Sequence, residues 1–379
     1  MGIKQFGFMK LIFFADKLPP EIGGMETHAK YFIEYFATRS DLTIITKKDD
    51  CDCIVDCSFQ AFKRIDLWQT LSLYRNQHCV VFYNSGRWIE CFERIKETLQ
   101  DALFFYRTGG NEILKAPLSL PIYSHKERQN YWIKTLNHNI DYLVANSEFT
   151  KKRLLDLGVN IELITIISGG IDVPKINQAI ANKEYARKKY NCTPVEKMIV
   201  CCCRFVEYKR PFFLLQAFNY LNTSCKIILA GDGPLLEGSQ RLADSLGMKN
   251  VYFLGKINHE ESLQIIASAD VYCQASTDLT VQVNGGQYIH TEGMGRSLIE
   301  AVCCGTKVVA TNCGALHEFI TPQNGALVDG DEKAFASAIE KSLRLPKISE
   351  SVREFYLKMY DFTNIFVLYS NIWKREGYY

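Results

Sequence analysis

Short apolar runs of strand length alternate with amphipathic stretches of helix length along the whole chain. In the first half, the apolar runs predict strands at 10–14, 42–46, 54–57, 79–83, 103–106, 142–145 and 163–167. In the second half, they predict strands at 198–203, 226–230, 251–254, 271–274, 307–310 and 326–328. Such alternation is typical of βαβ units built around parallel sheets. The sequence therefore predicts an α/β fold.

Capping residues and prolines locate the helices between these runs. Helices are predicted at 25–37 and 148–157, and the second of them starts after Ser147, a good N-cap, and ends at Gly158. The pattern of the tail predicts one further helix over 351–373. In the second half, helices are predicted to begin near residues 211, 234, 260, 295 and 331.

A polar stretch at 169–183 interrupts the apolar rhythm, and a second alternating series starts after it. A length of 379 residues suits two domains of ordinary size. We therefore expect an N-terminal domain over 1–174, a linker within the polar stretch, and a C-terminal domain over 175–354. The last helix, about 355–379, is expected to pack back on the N-terminal domain.

Charge and cysteine content exclude several classes of protein. The 44 basic and 42 acidic residues nearly cancel, so no global field attracts nucleic acid, and nucleic-acid binding is not expected. The 14 cysteines lack the paired Cys-x-x-Cys spacing of zinc knuckles, and the dense group Cys51, Cys53 and Cys57 does not suit zinc either. No apolar run is long enough to span a bilayer, and no signal peptide is recognisable. A cytoplasmic protein with reduced thiols is expected.

Two cations directly follow the predicted strand 198–203. Arg204 lies at the tip of the strand, and Lys209 lies near the start of the next helix. A nucleoside diphosphate needs cations or backbone N–H groups to neutralise its charge, and open α/β sheets present both at the carboxyl ends of their strands. The planar guanidinium of Arg204 and the ammonium of Lys209 can bind one anion together. Solvated charges on a loop are the alternative for this motif alone.

The segment 292–301 is the most informative motif, because two glutamates flank a glycine-rich turn that opens a helix. If the whole segment were helical, the two side chains would point about 80° apart around the axis and would not share a face. With Glu292 in the loop and Glu300 within the helix, both can approach one ligand that lies over the helix N-terminus. Two carboxylates that accept hydrogen bonds from sugar hydroxyls fit this arrangement. One capping glutamate and one surface glutamate are the alternative.

These motifs occur in an order that resembles a known family. The chain is similar to the retaining GT-B glycosyltransferases of family 4, and the similarity spans nearly its entire length. The resemblance implies two facing Rossmann-like domains with a cleft between them, of which the C-terminal domain binds the nucleotide sugar. The segments that carry the resemblance are 19–26, 168–172, 204–209, 231–234, 253–255 and the two glutamates of 292–300.

The resemblance also implies roles for individual residues. Arg204, Lys209 and Glu292 resemble the catalytic set, in which the two cations clamp the diphosphate and the glutamate contacts hydroxyls of the donor sugar. Glu300 resembles the ribose contact. The remaining donor-binding residues implied by the resemblance are Gly23 and Gly24 in the N-terminal glycine loop, Gly231, Lys256 and Ile257 at the base-binding edge, and Gly293, Met294, Gly295 and Leu298 along the pocket.

The sequence departs from the family pattern in two places. Many relatives carry a histidine after the strand that corresponds to 79–83, whereas Asn84 and Ser85 follow that strand here. These two residues, together with Arg107 and Asn111 after the next strand, are candidate acceptor contacts. The second departure is the long segment 276–291, where relatives have a short loop; a lid, a filter for the donor sugar and a flexible surface insertion are the alternatives.

The function implied by the resemblance is transfer of a sugar, with retention of configuration, from a UDP- or GDP-type nucleotide sugar to a hydroxyl. The expected acceptor is a glycan or a lipid-linked glycan, in bacterial surface-polysaccharide or lipopolysaccharide synthesis. No metal and no other cofactor are expected. A GT-B phosphorylase, a nucleotide-sugar epimerase, and a sugar-nucleotide-binding protein without transfer activity are the alternatives.

Basic and aromatic residues of the N-terminal half bear on the location of the enzyme. The run 123–132 mixes bases with aromatics, and 151–153 is a run of three bases. Such clusters suit peripheral contact with the inner face of a membrane and a lipid-linked acceptor. A solvated helix face explains them equally well.

Overall fold

The computed structural model of the protein describes residues 9–20, 23–119, 124–193 and 195–379. Glu21 and Ile22 of the N-terminal glycine-loop motif and Tyr123 of the basic and aromatic run lie outside the described residues. Contacts divide the chain into two units. The N-terminal unit comprises Met1–Gly170, Val281–Tyr288 and Phe362–Tyr379, and the C-terminal unit comprises Ile171–Thr280 and Ile289–Asp361.

The N-terminal unit contains a sheet with helices between its strands. Its strands are β1 (Lys10–Phe14), β2 (Asp41–Lys48), β3 (Cys51–Val55), β4 (Phe62–Arg64), β5 (Cys79–Tyr83), β6 (Ala102–Arg107), β7 (Tyr142–Ala145) and β8 (Ile164–Ile166). Its helices before the crossing into the second unit are α1 (Gly24–Phe36), α2 (Leu67–Ser72), α3 (Phe92–Thr98), α4 (Asn111–Lys115), α5 (His125–Asn139) and α6 (Glu148–Leu157).

The strands of this sheet lie in the order β4-β3-β2-β1-β5-β6-β7-β8. Strand β1 pairs in parallel with both β2 and β5, and the parallel pairing continues to β8. Strands β5 and β6 are buried along their whole length, as expected for central strands of a sheet that is covered on both faces. Near-continuous apolar runs therefore form the centre of this unit.

The C-terminal unit contains a second sheet. Its strands are β9 (Lys197–Cys202), β10 (Cys225–Ala230), β11 (Val251–Gly255), β12 (Val271–Gln274), β15 (Lys307–Thr311) and β16 (Gly325–Val328). A separate hairpin of β13 (Leu279–Val283) and β14 (Gly286–His290) precedes β15 along the chain, and its residues Val281–Tyr288 belong to the N-terminal unit. Its helices are α7 (Val173–Ala181), α8 (Lys183–Lys189), α9 (Pro211–Phe218), α10 (Leu236–Ser245), α11 (His259–Ser268), α12 (Arg296–Cys303), α13 (Glu332–Arg344) and α14 (Glu350–Tyr360). The last helix, α15 (Phe362–Arg375), returns to the N-terminal unit.

The strand order of the second sheet identifies its topology. The order is β11-β10-β9-β12-β15-β16, and the pairings between these strands are parallel. Counted along the unit, this is the order 3-2-1-4-5-6 of the doubly wound nucleotide-binding fold. The predicted α/β class is confirmed, and the chain order reverses between β9 and β12.

The structure corrects one prediction about local structure and adds detail to two others. Within the polar stretch 169–183, helix α7 begins after the N-cap Asp172 and buries Ile176 and Ala179 in the core of the C-terminal unit. The tail is not one helix, because α14 and α15 meet at Asp361, whose conformation is not helical. The β13–β14 hairpin occupies most of the segment 276–291, for which the sequence leaves a lid, a donor-sugar filter and a flexible surface insertion open.

Three further expectations concern the cysteines, the helices and the domain bounds. All 14 cysteines are free thiols. None of the helices in the described ranges combines the length and apolar character needed to cross a membrane. The predicted domain bounds, 1–174 and 175–354, describe pieces of the chain that are expected to fold independently. These bounds stay a prediction.

Helix α15 packs its aromatic face in the core of the N-terminal unit. Trp373 is fully buried, and its ring lies 4.9 Å from the ring of Phe36 and 6.0 Å from the ring of Phe105. Leu368, on the opposite side of the same helix, is exposed. The buried aromatic side chains therefore account for the attachment of this helix.

We expect Trp373→Ala to destabilise the N-terminal unit by about 3–5 kcal/mol, because it removes a large buried ring and leaves a cavity. For a unit of this size, that corresponds to a fall in Tm of roughly 10 °C. The matched control Leu368→Ala should lower Tm by no more than about 2 °C. Thermal unfolding followed by far-UV circular dichroism measures both, and equal Tm values for the two variants would contradict the packing described.

Candidate functional site

The candidate site lies where the chain order of the C-terminal sheet reverses. Strands β9 and β12 are neighbours there, with Val271 beside Ile199 and Tyr272 beside Val200. Ligands of doubly wound sheets bind outside the carboxyl ends of the strands at such a reversal. The loop after β9 carries Arg204, and the segment after β12 begins at Ala275.

A buried ion pair occupies this position. The Lys209 ammonium contacts Glu292 Oε1, and the two side chains are only 12% and 10% exposed. Ser276 Oγ donates to the same oxygen at 2.8 Å, and Gln274 Nε2 donates to it at 3.2 Å. Removing a charge from water is costly unless it is paired and hydrogen-bonded, and this carboxylate has both kinds of partner.

Further hydrogen bonds hold in place the Gln274 and Ser276 side chains that donate to Glu292. Gln274 Nε2 also donates to Ser276 Oγ at 2.9 Å. Ser297 Oγ, in the first turn of α12, donates to Gln274 Oε1 at 3.1 Å. The network therefore joins β12, the residues that follow it and α12.

The surroundings of Lys209 and Glu292 keep both side chains charged. Burial raises the pKa of Glu292, but the charge and hydrogen bond of Lys209 and the hydrogen bond of Ser276 outweigh it, so the pKa lies below the ordinary value of 4.5. Burial lowers the pKa of Lys209, yet the negative charge of Glu292 reverses the effect and leaves the pKa above its ordinary value. A fixed positive charge and a fixed negative charge are thus available at neutral pH.

Arg204 lies beside this pair on the exposed side. Its Nη2 donates to Tyr208 Oη at 2.7 Å, and the ring of Tyr208 lies 4.4 Å from the ring of His290 at the end of β14. The Lys209 ammonium lies 5.1 Å from the centre of the same Tyr208 ring. The guanidinium and the ammonium therefore share one aromatic neighbour, and the guanidinium is exposed to solvent.

Glu300 lies in the second turn of α12, whereas Glu292 lies in the loop before that helix. The Glu300 side chain is 5% exposed. His259 Nε2 donates to its Oε1 at 2.9 Å, and Arg296 Nε lies 3.7 Å from the same oxygen. Burial raises the pKa of Glu300, but the hydrogen bond and charge of His259 and the charge of Arg296 bring the pKa below its ordinary value.

Two glycines allow the backbone to approach closely around the site. Gly231, at φ 138°, would place a Cβ atom 1.8 Å from the carbonyl oxygen of Cys203, immediately before Arg204. Gly295, at φ 72°, precedes α12, and a Cβ atom there would lie 2.4 Å from Leu316. Neither conformation is open to ordinary L-residues without strain, and neither position has room for a side chain.

The residues implied at the base-binding edge differ in exposure. Lys256 is exposed, and Ile257 and Met294 are half-buried against the core of the C-terminal unit. Gly293 is half-buried as well. Leu298 is fully buried in that core, so its side chain packs against other apolar side chains and does not line an open surface.

A scan against family models matches residues 182–358 to glycosyl transferases group 1. The match contains Arg204, Lys209, Glu292 and Glu300. This chain carries a glycosyl transferases group 1 domain. The resemblance to GT-B glycosyltransferases of family 4 is thereby confirmed.

Curated proteins with similar sequences are glycosyltransferases by name. The chain is 26% identical over 204 residues to the GDP-mannose-dependent monoacylated alpha-(1-6)-phosphatidylinositol monomannoside mannosyltransferase of Corynebacterium glutamicum, and the match covers 53% of this chain and 52% of that protein. It is 25% identical over 228 residues to the alpha-monoglucosyldiacylglycerol synthase of Streptococcus pneumoniae, covering 58% of this chain and 48% of that one. The chain thus matches about half the length of these relatives. An uncharacterized glycosyltransferase of Methanocaldococcus jannaschii matches at 24% identity over 97% of this chain and 98% of its own.

Solved glycosyltransferase structures share the fold. The Anabaena protein Alr3699/HepE in complex with UDP superimposes with a TM-score of 0.74 over 97% of this chain and all of that chain, at 17% identity. A glycosyltransferase from Rickettsia africae gives the same TM-score over 97% of this chain and 98% of its own, at 16% identity. The GT-B fold class expected from the motifs is confirmed.

The N-terminal candidates lie at the carboxyl ends of neighbouring strands β1, β5 and β6. The backbone N–H of Asn84 donates to the carbonyl oxygen of Phe14 at 2.8 Å, and the side-chain Nδ2 of Asn84 donates to the carbonyl oxygen of Met25 at 3.0 Å. Arg107 is buried and places Nη1 2.9 Å from Met25 Sδ. Asn84 Oδ1 is buried and accepts no hydrogen bond from the described residues.

The other N-terminal candidates either form hydrogen bonds within the protein or lie at the start of a helix. Gly23 and Gly24 lie at the start of α1, where the Gly23 carbonyl accepts hydrogen bonds from the N–H and the hydroxyl of Thr27. Ser85 accepts from Arg87 N at 3.1 Å and so caps the short turn after β5. Asn111 is the first residue of α4. The acceptor roles of Asn84, Ser85, Arg107 and Asn111 stay a prediction.

Four polar residues of the glycosyl transferases group 1 domain escaped sequence reasoning: Gln274, Ser276, His259 and Tyr208. A signal existed for Gln274 and Ser276, because both lie at the carboxyl end of the predicted strand 271–274. Tyr208 lies within the motif 204–209, but the sequence predicted no role for it. His259 gave no signal, since only the three-dimensional fold brings α11 next to α12.

We expect Glu292→Gln to destabilise the protein at neutral pH by about 3–5 kcal/mol, because it leaves the Lys209 charge buried without its partner. The pKa of Glu292 is lower in the folded protein than its ordinary value of 4.5. The stabilisation is therefore complete above about pH 4.5 and is lost as pH falls through the folded value. Thermal unfolding of wild type and variant from pH 7.5 to pH 3.5 should show a Tm difference that shrinks below about pH 4.5.

Glu237→Gln is the matched control for this measurement. Glu237 pairs with Arg241 on the surface of α10, where both side chains are largely exposed. An exposed pair contributes at most about 1 kcal/mol. Its variant should therefore unfold close to wild type across the series, and a pH-independent Tm difference for Glu292→Gln would contradict the ionised buried pair.

Proposed function

We propose that the protein is a retaining glycosyltransferase that moves a sugar from a nucleoside-diphosphate sugar to a hydroxyl of a glycan or lipid-linked acceptor. The observation that carries the proposal is the charged Lys209–Glu292 pair beside the exposed Arg204, at the reversal point of a doubly wound sheet. A cation pair and a carboxylate at one such position suit a ligand that combines a diphosphate with sugar hydroxyls.

The two cations have a role in the reaction itself. As the bond between the sugar and the diphosphate breaks, negative charge develops on the leaving phosphate oxygens. Charges that are already fixed in place stabilise such a transition state without further reorganisation. Lys209 is fixed by Glu292, and Arg204 is oriented by Tyr208, so both are prepared to bind the leaving diphosphate.

Glu292 has one oxygen available for the donor sugar. Its hydrogen bonds with Lys209, Ser276 and Gln274 all end on Oε1. Within the described part of the chain, no hydrogen bond ends on Oε2. A sugar hydroxyl can therefore donate to Oε2 while Oε1 keeps the ion pair intact.

Relatives support the choice of donor and acceptor. The Corynebacterium relative is named as GDP-mannose-dependent and as acting on a phosphatidylinositol mannoside, and the Streptococcus relative is named as a synthase of a glucosyldiacylglycerol. A structural neighbour binds UDP-glucose. We therefore propose a UDP- or GDP-hexose as donor, a glycolipid as acceptor, and a role in bacterial surface-polysaccharide or lipopolysaccharide synthesis.

Retention, metal independence and membrane contact belong to the same proposal. Retention requires that the product carries the anomeric configuration of the donor, which NMR of the isolated product measures. Metal independence requires that transfer persists in excess chelator. If the enzyme contacts the membrane surface, it should sediment with vesicles that contain anionic lipid.

One observation favours a second function. The family pattern that this chain resembles has a histidine after the strand that corresponds to β5, whereas Asn84 follows that strand here, and an amide cannot transfer a proton at neutral pH. A sugar-nucleotide-binding protein without transfer activity would retain the C-terminal network and bind the nucleotide. Nucleotide binding with no release of nucleoside diphosphate from any donor and acceptor pair would favour this alternative.

We expect Arg204→Ala to unfold within about 2 °C of wild type, because the side chain is exposed. It should lower turnover by about 10²- to 10³-fold or more, because it removes one of the two charges that stabilise the leaving diphosphate. Release of UDP or GDP from the nucleotide sugar, with vesicles that contain diacylglycerol or phosphatidylinositol as acceptors, measures turnover. Arg241→Ala, which removes an exposed arginine elsewhere, is the control and should behave as wild type. Full activity of Arg204→Ala would contradict the assignment.

A panel of UDP-, GDP-, ADP- and CMP-sugars tests the donor. A ligand that binds only the folded protein raises its stability by about 2.7 kcal/mol at a hundred times its Kd, which shifts Tm measurably. We expect a UDP- or GDP-sugar to raise Tm and the others to have little effect. If no member of the panel raised Tm, the proposed function would be wrong.

A further inference from the structure

Glu300 is nearly enclosed, and its two oxygens have different surroundings. Both basic neighbours, His259 and Arg296, approach Oε1. Within the described ranges, no hydrogen bond or ion pair ends on Oε2. A carboxylate with one oxygen held by a hydrogen bond presents the other as a directed acceptor, because rotation about its terminal bond would break that hydrogen bond.

His259 is the neighbour that forms a hydrogen bond. Its Nε2 lies 2.9 Å from Oε1, whereas the Arg296 Nε lies at 3.7 Å, beyond hydrogen-bond distance. A ring also offers fewer rotamers than the long arginine side chain, so it fixes the direction of the bond more tightly. The orientation of Glu300 therefore depends mainly on His259.

The position of His259 is itself well defined. It is the first residue of α11, directly after the N-cap Asn258, whose Oδ1 accepts from Glu261 N at 2.8 Å. This capping bond fixes the first helical turn. The side chain of His259 remains 35% exposed, so it lies at the surface of the site and not in the core.

We propose that His259 is a positioning residue that sets the selectivity of the site for ribose. By occupying Glu300 Oε1, it directs Oε2 toward the ribose hydroxyls of the nucleotide, so that a nucleoside diphosphate lacking these hydroxyls binds poorly. The inference rests on the proposed function, in which Glu300 contacts the ribose. It adds the residue that fixes this contact.

The test compares affinities for nucleotides with and without ribose hydroxyls. Isothermal titration measures the Kd of UDP and 2′,3′-dideoxy-UDP, and of GDP and 2′,3′-dideoxy-GDP, for the wild-type protein. Hydrogen bonds to a charged group contribute about 1.5–3 kcal/mol, so the wild-type protein should prefer the ribose form by about 10- to 100-fold. This arm also tests the proposed function, because failure to bind either UDP or GDP would contradict a nucleotide-sugar site as a whole.

The variants test the role of His259. His259→Phe keeps a ring and removes the donor, and we expect it to weaken binding of the ribose form by at least about tenfold, the value of one such hydrogen bond. Its Kd for the dideoxy form should stay within about twofold of wild type, since no ribose hydroxyl is there to lose a partner. His259→Gln, whose amide N–H can donate to Oε1, should recover part of the ribose preference.

A merely structural role for His259 predicts a different pattern. In that case, His259→Phe would weaken both forms equally, or His259→Gln would recover nothing, and either result would overturn the proposal. So would a wild-type ribose preference that persists in His259→Phe. His259→Ala provides a second donor-free variant if the phenylalanine does not fit, and Glu260→Ala, an exposed change in the same helical turn, is the control that should keep the wild-type ratio.

Discussion

The candidate site depends on the cost of keeping Lys209 and Glu292 charged in a place that is nearly closed to water. An isolated buried ammonium would lose its proton and an isolated buried carboxylate would gain one, and a buried ion pair is stable only when further hydrogen bonds complete it. Ser276 and Gln274 complete this one on the carboxylate side. Replacing a buried ion pair by hydrophobic residues of similar volume is often neutral or stabilising in proteins, so we attribute these charges to what they do for a ligand.

The same constraint explains why the site lies where it does. The Lys209 side chain comes from the segment after β9, the two hydrogen-bond donors come from the end of β12 and the residue beyond Ala275, and Glu292 comes from the loop before α12. These segments meet because β9 and β12 are neighbours in space although three helices separate them along the chain. The topology of the sheet, and not the local sequence, therefore assembles the ion pair and places the exposed Arg204 beside it.

Sequence reasoning located the regular elements because their signal is local. The central strands β5 and β6 are buried on both faces, which requires continuous apolar runs that are visible in the sequence. The β13–β14 hairpin alternates half-buried with exposed residues and contains polar side chains, so it has no such run and its strands were not predicted. Helix α7 was not predicted either, although its capping aspartate and N-terminal proline are helix-start signals. For the site, Arg204, Lys209 and the two glutamates came from motifs, whereas the partner of Glu300 on α11 could come only from the folded structure.

The central claim is that a single ligand contacts four side chains. They are Glu292 in the loop before α12, Glu300 within α12, and Arg204 and Lys209 after β9. A crystal structure of the protein with the nucleoside diphosphate that raises its Tm tests this most directly. The account predicts phosphate oxygens within hydrogen-bond distance of Arg204 and Lys209 and ribose hydroxyls on Glu300 Oε2. A nucleotide bound elsewhere, or bound here with its ribose turned away from Glu300, would contradict it.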